Sequence, residues 1–388
     1  MSRPSTQTSP ASTEPLTTTL LPASWYLDPE VFAREQEAIF HRSWLHVGHA
    51  SRIPETGNYL TYEIGGQSII VLRGSAGRIL AFYNVCRHRA SQLLEGEGSV
   101  ARIICPYHGW TYDLDGNLVA ARHTEKVEGF DRSCWGLRSV RLERIAGFLF
   151  VCLDDEAPSM TEAYPGLADM LYGCEPEIER LVHAHRMTYD IACNWKIAVE
   201  NYSEAYHVRT VHPGLYRGFD MESGRWEIHD LYTLLHLRDA TSSQSLTDIL
   251  NDGQDDNRQT YDWHGAERTD LPSIWVWPMV MFERMPGRPG VFTYNHVPMG
   301  PERTLQVVDF YFPDRELGEQ DRQQIDYVDL VRREDLGTIE RVQRGIRSKG
   351  WGKGPLMIGP DVAPEWTESA LLHFQNIVWQ HLQGTSEG

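Results

Sequence analysis

Two Cys-His pairs constrain this chain more than any other feature. They are Cys86-Arg87-His88 and, sixteen residues on, Cys105-Pro106-Tyr107-His108. Each pair follows a short β-type run, so each belongs on a loop. Two loops side by side can bring two thiolates and two imidazoles to one point. Such a set can hold one tetrahedral zinc. It can also hold a [2Fe–2S] cluster, with two Cys on one iron and two His on the other. Zinc fingers favour a C-x₂₋₄-C knuckle and then a His pair on a helix. Here each loop carries one Cys and one His, which favours the cluster and leaves structural zinc as the alternative. Neutral imidazoles in place of anionic thiolates raise the reduction potential. Arg87, Tyr107, Gly109 and Trp110 flank the loops and are expected to shield the cluster.

The remaining chain must house more than this module. At ~150 residues per domain, 388 residues suggest two or three domains. Residues 1–22 read as a disordered Ser/Thr/Pro-rich tail without the apolar core of a secretory signal. Residues 23–44 read as a helix packing on the second, larger domain, with Asp28 as cap and Pro29 in the first turn. Residues 45–155 alternate in short runs broken by Gly and read as an all-β domain. Residues 156–388 form the second domain, with helices expected over 161–183, 194–206, 317–347 and 366–382. Strands are expected over 274–283, 290–297 and 304–312. A polar segment, 239–270, is a candidate lid.

Charge narrows the partners. Lys and Arg number 36 against 54 Asp and Glu, so 36 − 54 = −18. That balance opposes binding to nucleic acid or an anionic membrane and suits a cationic substrate. No apolar run approaches the ~20 residues of a membrane helix. Cys134, Cys152, Cys174 and Cys193 lack His partners and read as thiols. With no export signal, the expected location is the cytoplasm.

A second constellation lies in Asn201-Tyr202-Ser203-Glu204-Ala205-Tyr206-His207 and ends at His212-Pro213. Five residues of straight helix turn ~500°, so His207 and His212 would diverge by ~140°. They converge only if the helix ends between them, which Pro213 and Gly214 support. Non-haem iron sites that activate O₂ use two His and one carboxylate and keep positions open. On 325–348 the apolar stripe Val328, Val331, Ile339, Val342, Ile346 has one gap of eight. Asp335 fills it and faces inward. A buried carboxylate needs a strong partner; a metal and a buried Arg are the two alternatives. Glu204, three residues before His207, reads either as a solvated helix acid or as a bridge between metal centres.

Together these residues resemble the oxygenase (α) component of the Rieske non-haem iron oxygenases, from about Trp25 to Leu382. The resemblance implies an α+β fold: an N-terminal all-β Rieske domain, then a helix-grip-like catalytic domain with an antiparallel sheet and helices. It implies that Cys86, His88, Cys105 and His108 hold the [2Fe–2S] cluster, and that His207, His212 and Asp335 hold mononuclear Fe(II). Glu204 and Asn201 become the catalytic candidates, Glu204 at the position that links the Rieske histidine of one subunit to the iron ligand of the next. A homotrimer follows, as does a separate flavin and iron–sulfur reductase supplying NAD(P)H electrons. The chain itself has no G-x-G-x-x-G fingerprint.

The run Glu200 to His207 is similar to that of the choline, glycine betaine and carnitine monooxygenase branch. Ala205 departs from it, standing where that branch often has Cys. The resemblance implies hydroxylation of a carbon next to the nitrogen of a small quaternary ammonium compound, first of all N-demethylation of glycine betaine to dimethylglycine and formaldehyde. Oxidation of choline or carnitine and ring hydroxylation of an aryl substrate are the alternatives, and an electron carrier or a zinc module are more distant rivals. A quaternary ammonium is held by aromatic faces. The candidates are Tyr202, Tyr206, Trp277, Phe282, Tyr294 and Phe310, with Arg284 or His296 for a substrate carboxylate.

Overall fold

Alternation of apolar and polar residues from Leu45 onward builds the first of two seven-stranded antiparallel sheets. The computed structural model describes residues 18–239, 270–284 and 289–383. The expected tail over 1–17 and the candidate lid over 240–269 lie outside them. Across the first sheet the strands run Leu45–His49, Phe148–Cys152, Ser139–Ile145, Ile79–Tyr83, Gln67–Arg73, Asn58–Ile64 and Glu97–Ser99. A small sheet of Ile103–Ile104, Thr111–Tyr112 and Leu118–Ala120 stands beside it.

The second sheet forms the rest of the frame. Its strands run Val182–Ile191, Arg303–Phe312, Val291–Gly300, Val280–Glu283, Asp270–Val276, Tyr232–Asp239 and Phe219–Ile228. The 28-residue helix Glu319–Ile346 and the helix Ser369–Gln383 accompany it. Three readings are corrected here, the first being that the single strand expected over 274–283 is two, Asp270–Val276 and Val280–Glu283, joined by a turn. The segment 161–183 is not one helix: Met160–Ala163 and Leu167–Cys174 are short helices, and Val182 opens a strand. From Arg186 this strand alternates exposed and half-buried residues, the period of a sheet. The strands over 219–239 were not anticipated at all.

The two sheets meet through aromatic contacts. Phe148 packs edge-on against Phe282 at 4.8 Å and Tyr311 at 5.2 Å. His46 sits among Phe148, Phe150 and Phe282. Burial pushes its pKa down to about 3, so it stays neutral there.

The N-terminal segment is not one helix over 23–44 but the short helices Ser24–Leu27 and Pro29–Glu35 and a π-turn. Asp28 accepts a bond from the Glu30 N–H (2.8 Å), Pro29 opens the helix Pro29–Glu35, and a π-turn continues to Phe40. Glu35 pairs with Lys196, both fully buried, and accepts a bond from Trp195 Nε1 at 2.8 Å. Glu200 Oε1 accepts from Tyr26 Oη (2.7 Å) and from Gln375 Nε2 (2.8 Å). The helix Trp195–Tyr202, which leads into the second constellation, is thus tied to both ends of the described chain.

Burial pushes the Glu200 carboxyl up to about 7, against the Tyr26 and Gln375 bonds and the Lys196 charge. An ordinary carboxyl titrates near 4.3. Between those values the folded state binds the proton more tightly than the unfolded one, so stability falls as pH rises. The deficit persists above 7 and amounts to at most ~3–4 kcal/mol. Glu200→Gln is expected to match wild type near pH 4 and to melt at a higher temperature at pH 8. Equal pH dependence of the two melting curves would contradict this.

Candidate metal centres and active site

The first loop pair converges as the spacing requires. Cys86 lies in the turn after Ile79–Tyr83, closed by Cys86 N–H to Ser91 O at 2.8 Å. Cys105 to Gly109 form the hairpin between Ile103–Ile104 and Thr111–Tyr112, closed by Cys105 N–H to Trp110 O (2.8 Å) and Gly109 N–H to Cys105 O (3.0 Å). Gly109 has φ +70°, the left-handed conformation that a side chain disfavours. Both thiols are buried, and both imidazoles are exposed with ring centroids 4.7 Å apart. Buried sulfurs below two outward imidazoles fit a cluster with its His-bound iron at the surface. His88 stacks on Trp110 at 4.8 Å, and Tyr107 covers His108 at 3.7 Å. Burial pushes the Cys86 thiol up, while at Cys105 the Tyr107 and His108 N–H groups outweigh burial and lower it. Tyr112 Oη lies 3.4 Å from Cys86 Sγ, a neighbour the sequence reading did not single out.

The second constellation also comes together, by a different route from the one expected. The helix ends at Tyr202, and residues 203–206 form a turn. A one-turn helix, Val208–Val211, then separates His207 from His212 and brings their rings to 5.3 Å. Glu204 is therefore a turn residue, not a helix acid. Its Oε2 accepts from the His207 N–H (3.1 Å), and its Oε1 lies 2.5 Å from His207 Nδ1.

Asp335 faces inward from the long helix, 2% exposed. The stripe beside it differs in one position: Val342 is exposed and Gln343 is buried, accepting from Asn194 N–H at 2.8 Å. His207 Nε2 and His212 Nε2 stand 3.6 and 2.8 Å from Asp335 Oδ1. One donor atom from each of these residues lies within 4.8 Å of the others, the one such group of three among the described residues. Ligands at about 2.1 Å from a metal and at right angles to one another are ~3 Å apart, so the set fits one ion.

The outer atoms agree. His207 Nδ1 faces Glu204, and His212 Nδ1 faces Glu334 Oε2 at 2.7 Å. Each carboxylate can accept a hydrogen bond from Nδ1–H, the tautomer that leaves the Nε2 lone pair for a metal. Burial opposes charge on His212, yet Asp335 and Glu334 push its pKa up to about 9. Burial likewise opposes charge on Asp335, but Arg332 and the two histidines hold it at about 2. The metal and the buried Arg were posed as alternatives for Asp335; the structure supplies the Arg and the two histidines together. Asn201 Nδ2 donates to Asp335 Oδ1 at 3.4 Å and lies 3.5 Å from His207 Nε2.

A cavity of about 120 Å³ opens beside these donors, between the long helix and the second sheet. Of the six aromatic candidates, Tyr202 and Tyr294 line it. The other four do not. Phe282 points through the opposite sheet face to Phe148. Trp277 packs among Trp195, Phe374 and His381. Phe310 shares the cavity face but stacks behind Phe292 at 5.5 Å. Tyr206 is 50% exposed and meets Trp366. Arg284 lines the cavity; His296 is buried away from it against Gln306. The residues missed are Phe292, Tyr327 and above all Glu283. Glu283 Oε1 accepts from Ser273 Oγ at 3.0 Å. Burial pushes its carboxyl up, against Tyr202, Ser273 and Arg332.

Residues 43–131 match the Rieske [2Fe-2S] domain, and residues 178–384 match the ring hydroxylating alpha subunit catalytic domain. The chain belongs to the Rieske non-haem iron oxygenases. As an oxygenase of this family, it carries a Rieske cluster and a mononuclear iron. The carnitine monooxygenase oxygenase subunit of Escherichia coli (strain K12) is 37% identical over 364 residues, 93% of each chain. The glycine betaine monooxygenase oxygenase subunit of Chromohalobacter salexigens is 44% identical over 196 residues, 50% of this chain and 43% of that one. In structure, the oxygenase is similar to a quaternary ammonium Rieske monooxygenase described for carnitine oxidation and inter-subunit electron transfer. The TM-score is 0.84 and the identity 32%, over 96% of this chain and 100% of that one. No helix among the described residues is long and apolar enough to cross a membrane.

Proposed function

We propose that this oxygenase hydroxylates a carbon next to the nitrogen of a small quaternary ammonium compound. One observation carries the reading: a half-buried acid, Glu283, among aromatic walls in the cavity beside the two histidines and Asp335. A quaternary ammonium has no N–H and never loses its charge, so it needs aromatic faces and a fixed carboxylate. Tyr202, Phe292, Tyr294 and Tyr327 supply the faces. A bound cation relieves the cost of keeping Glu283 charged in the cavity. An aryl ring offers it no such relief. N-demethylation of glycine betaine remains the first assignment; the full-length similarity to carnitine monooxygenase supports carnitine as the second.

In this reading Cys86, His88, Cys105 and His108 hold the cluster, and Nε2 of His207, Nε2 of His212 and Oδ1 of Asp335 hold the iron. When bound, the cluster delivers electrons and the iron activates O₂. The chain positions the substrate, excludes water and manages protons. Glu204 accepts from His207 Nδ1–H and so holds that proton on the ring, and Asn201 donates to Asp335 Oδ1. Oxidation of one N-methyl group consumes O₂, two electrons and two protons and releases water. In the hydroxymethyl product the O–H proton is lost as the C–N bond breaks, its electron pair stays on nitrogen, and formaldehyde, a proton and a tertiary amine result.

The domain division at about 155, a homotrimer and a separate NAD(P)H-dependent reductase belong to the same proposal. Exposed His88 and His108, ringed by Arg87, Arg89 and Arg122, give an electropositive face. Half-buried Glu204, Glu334 and Glu368 concentrate negative charge near His207. Opposite charges on two such faces favour head-to-tail association, with Glu204 linking the centres.

The test supplies the enzyme with a reductase and O₂ and offers glycine betaine, carnitine, choline, stachydrine and aryl acids. Formaldehyde matched to loss of one methyl from glycine betaine is the expected result. An aryl acid gaining one oxygen, with every quaternary amine inert, would overturn the substrate class while keeping both metal centres.

A further inference from the structure

Arg332 stands three residues before Asp335 on the long helix and is 4% exposed. Its guanidinium is held from three directions. Nη1 donates to Asp335 Oδ2 at 2.8 Å, Nε donates to Gln306 Oε1 at 3.2 Å, and Cζ lies 5.0 Å from the centre of the Tyr294 ring. Gln306 is anchored in turn, with Nε2 2.7 Å from His296 Nε2. An Arg does not give up its proton in a protein, so this grip is permanent.

The consequence is an asymmetry within one carboxylate. Oδ2 of Asp335 belongs to Arg332. Oδ1 alone meets His212 Nε2, His207 Nε2 and the Asn201 amide. We propose that Arg332 is a positioning residue that makes Asp335 a one-oxygen ligand. The proposal rests on the triad reading above. A carboxylate beside a divalent metal can bind through one oxygen or both. Chelation by both would fill one more coordination position, whereas O₂-activating sites keep positions open. A charge-assisted hydrogen bond to Oδ2 opposes that chelation. Charge balance alone would explain a buried Arg near Asp335. It would not predict that the two oxygens behave differently once iron is present.

The experiment compares crystal structures of the holoenzyme, with both metal centres filled, for wild type, Arg332→Gln and Arg332→Lys. It adds nitric oxide titration of the ferrous site, read by the nitrosyl EPR signal. In wild type, Oδ1 is expected at bonding distance from iron and Oδ2 on Arg332. In Arg332→Gln both oxygens are expected on iron, and nitric oxide affinity is expected to fall ~10–100-fold. Arg332→Lys keeps a charged donor and is expected to restore one-oxygen binding. Wild-type iron held by both oxygens would overturn the proposal, as would Arg332→Gln with unchanged ligation. If Arg332→Gln fails to fold, the wild-type structure still decides. Iron found away from Asp335 would overturn the triad and this proposal together; two-oxygen binding would overturn this proposal alone.

Discussion

Asp335→Asn is expected to remove the mononuclear iron and abolish turnover while the Rieske cluster remains. The substitution keeps the side-chain shape and its packing against Arg332 but removes the anionic ligand. Losing an outer-shell partner alone costs metal sites ~10–100-fold, so loss of a ligand exceeds ~100-fold in product formation. Asp335→Ala does the same and also strands Arg332, a buried charge whose pairing is worth ~3–5 kcal/mol when broken. The cleaner variant is therefore the Asn. The readout is iron and acid-labile sulfide per chain: sulfide unchanged, one iron gone, visible spectrum of the cluster intact. Full iron content with normal formaldehyde yield would end the triad reading, and loss of sulfide would show that the two centres are not independent.

The convergence of the two candidate donor sets was legible in the sequence because their geometry is local. A one-residue and a two-residue Cys-His spacing fit two hairpin-like turns, and five residues with a following Pro fit a broken helix. Asp335 was legible because a helix of period 3.6 marks its inward face. The cavity was not legible, for an equally physical reason. Successive strand residues point to opposite faces, so Phe282 leaves the cavity and Glu283 enters it. Nothing in composition separates those neighbours; only the register of Val280–Glu283 against Asp270–Val276 and Val291–Gly300 does. The strand Val182–Ile191 carries three basic residues and hid its alternation under charge. Arg332 had a usable signal. Residues three apart on a helix are neighbours, so an Arg three before a buried Asp is the natural partner for its second oxygen.

Glu283→Gln tests the substrate pocket most directly, because the amide keeps the bond with Ser273 and removes only the charge. If Glu283 is the counter-ion of a quaternary ammonium, its loss deprives a desolvated cation of its partner. That costs ~2–5 kcal/mol, or roughly 30- to 4,000-fold in kcat/KM, carried mainly by KM. A neutral analogue with a tert-butyl group in place of trimethylammonium separates charge from shape. Wild type is expected to bind the cation far better than this analogue, and Glu283→Gln to narrow the gap while binding the analogue about as well as before. An acid limb should change too. Burial raises the Glu283 carboxyl, so in wild type lowering the pH protonates it in the free enzyme and raises KM; in Glu283→Gln that limb is expected to flatten. Equal losses for cation and analogue would make Glu283 a packing residue. An unchanged KM for the cation would leave recognition to the aromatic faces alone, each worth only ~0.5–2 kcal/mol. Two or three such faces could then match a single buried ion pair, and aromatic substitutions at Tyr202 or Tyr294 would become the stronger lever on specificity.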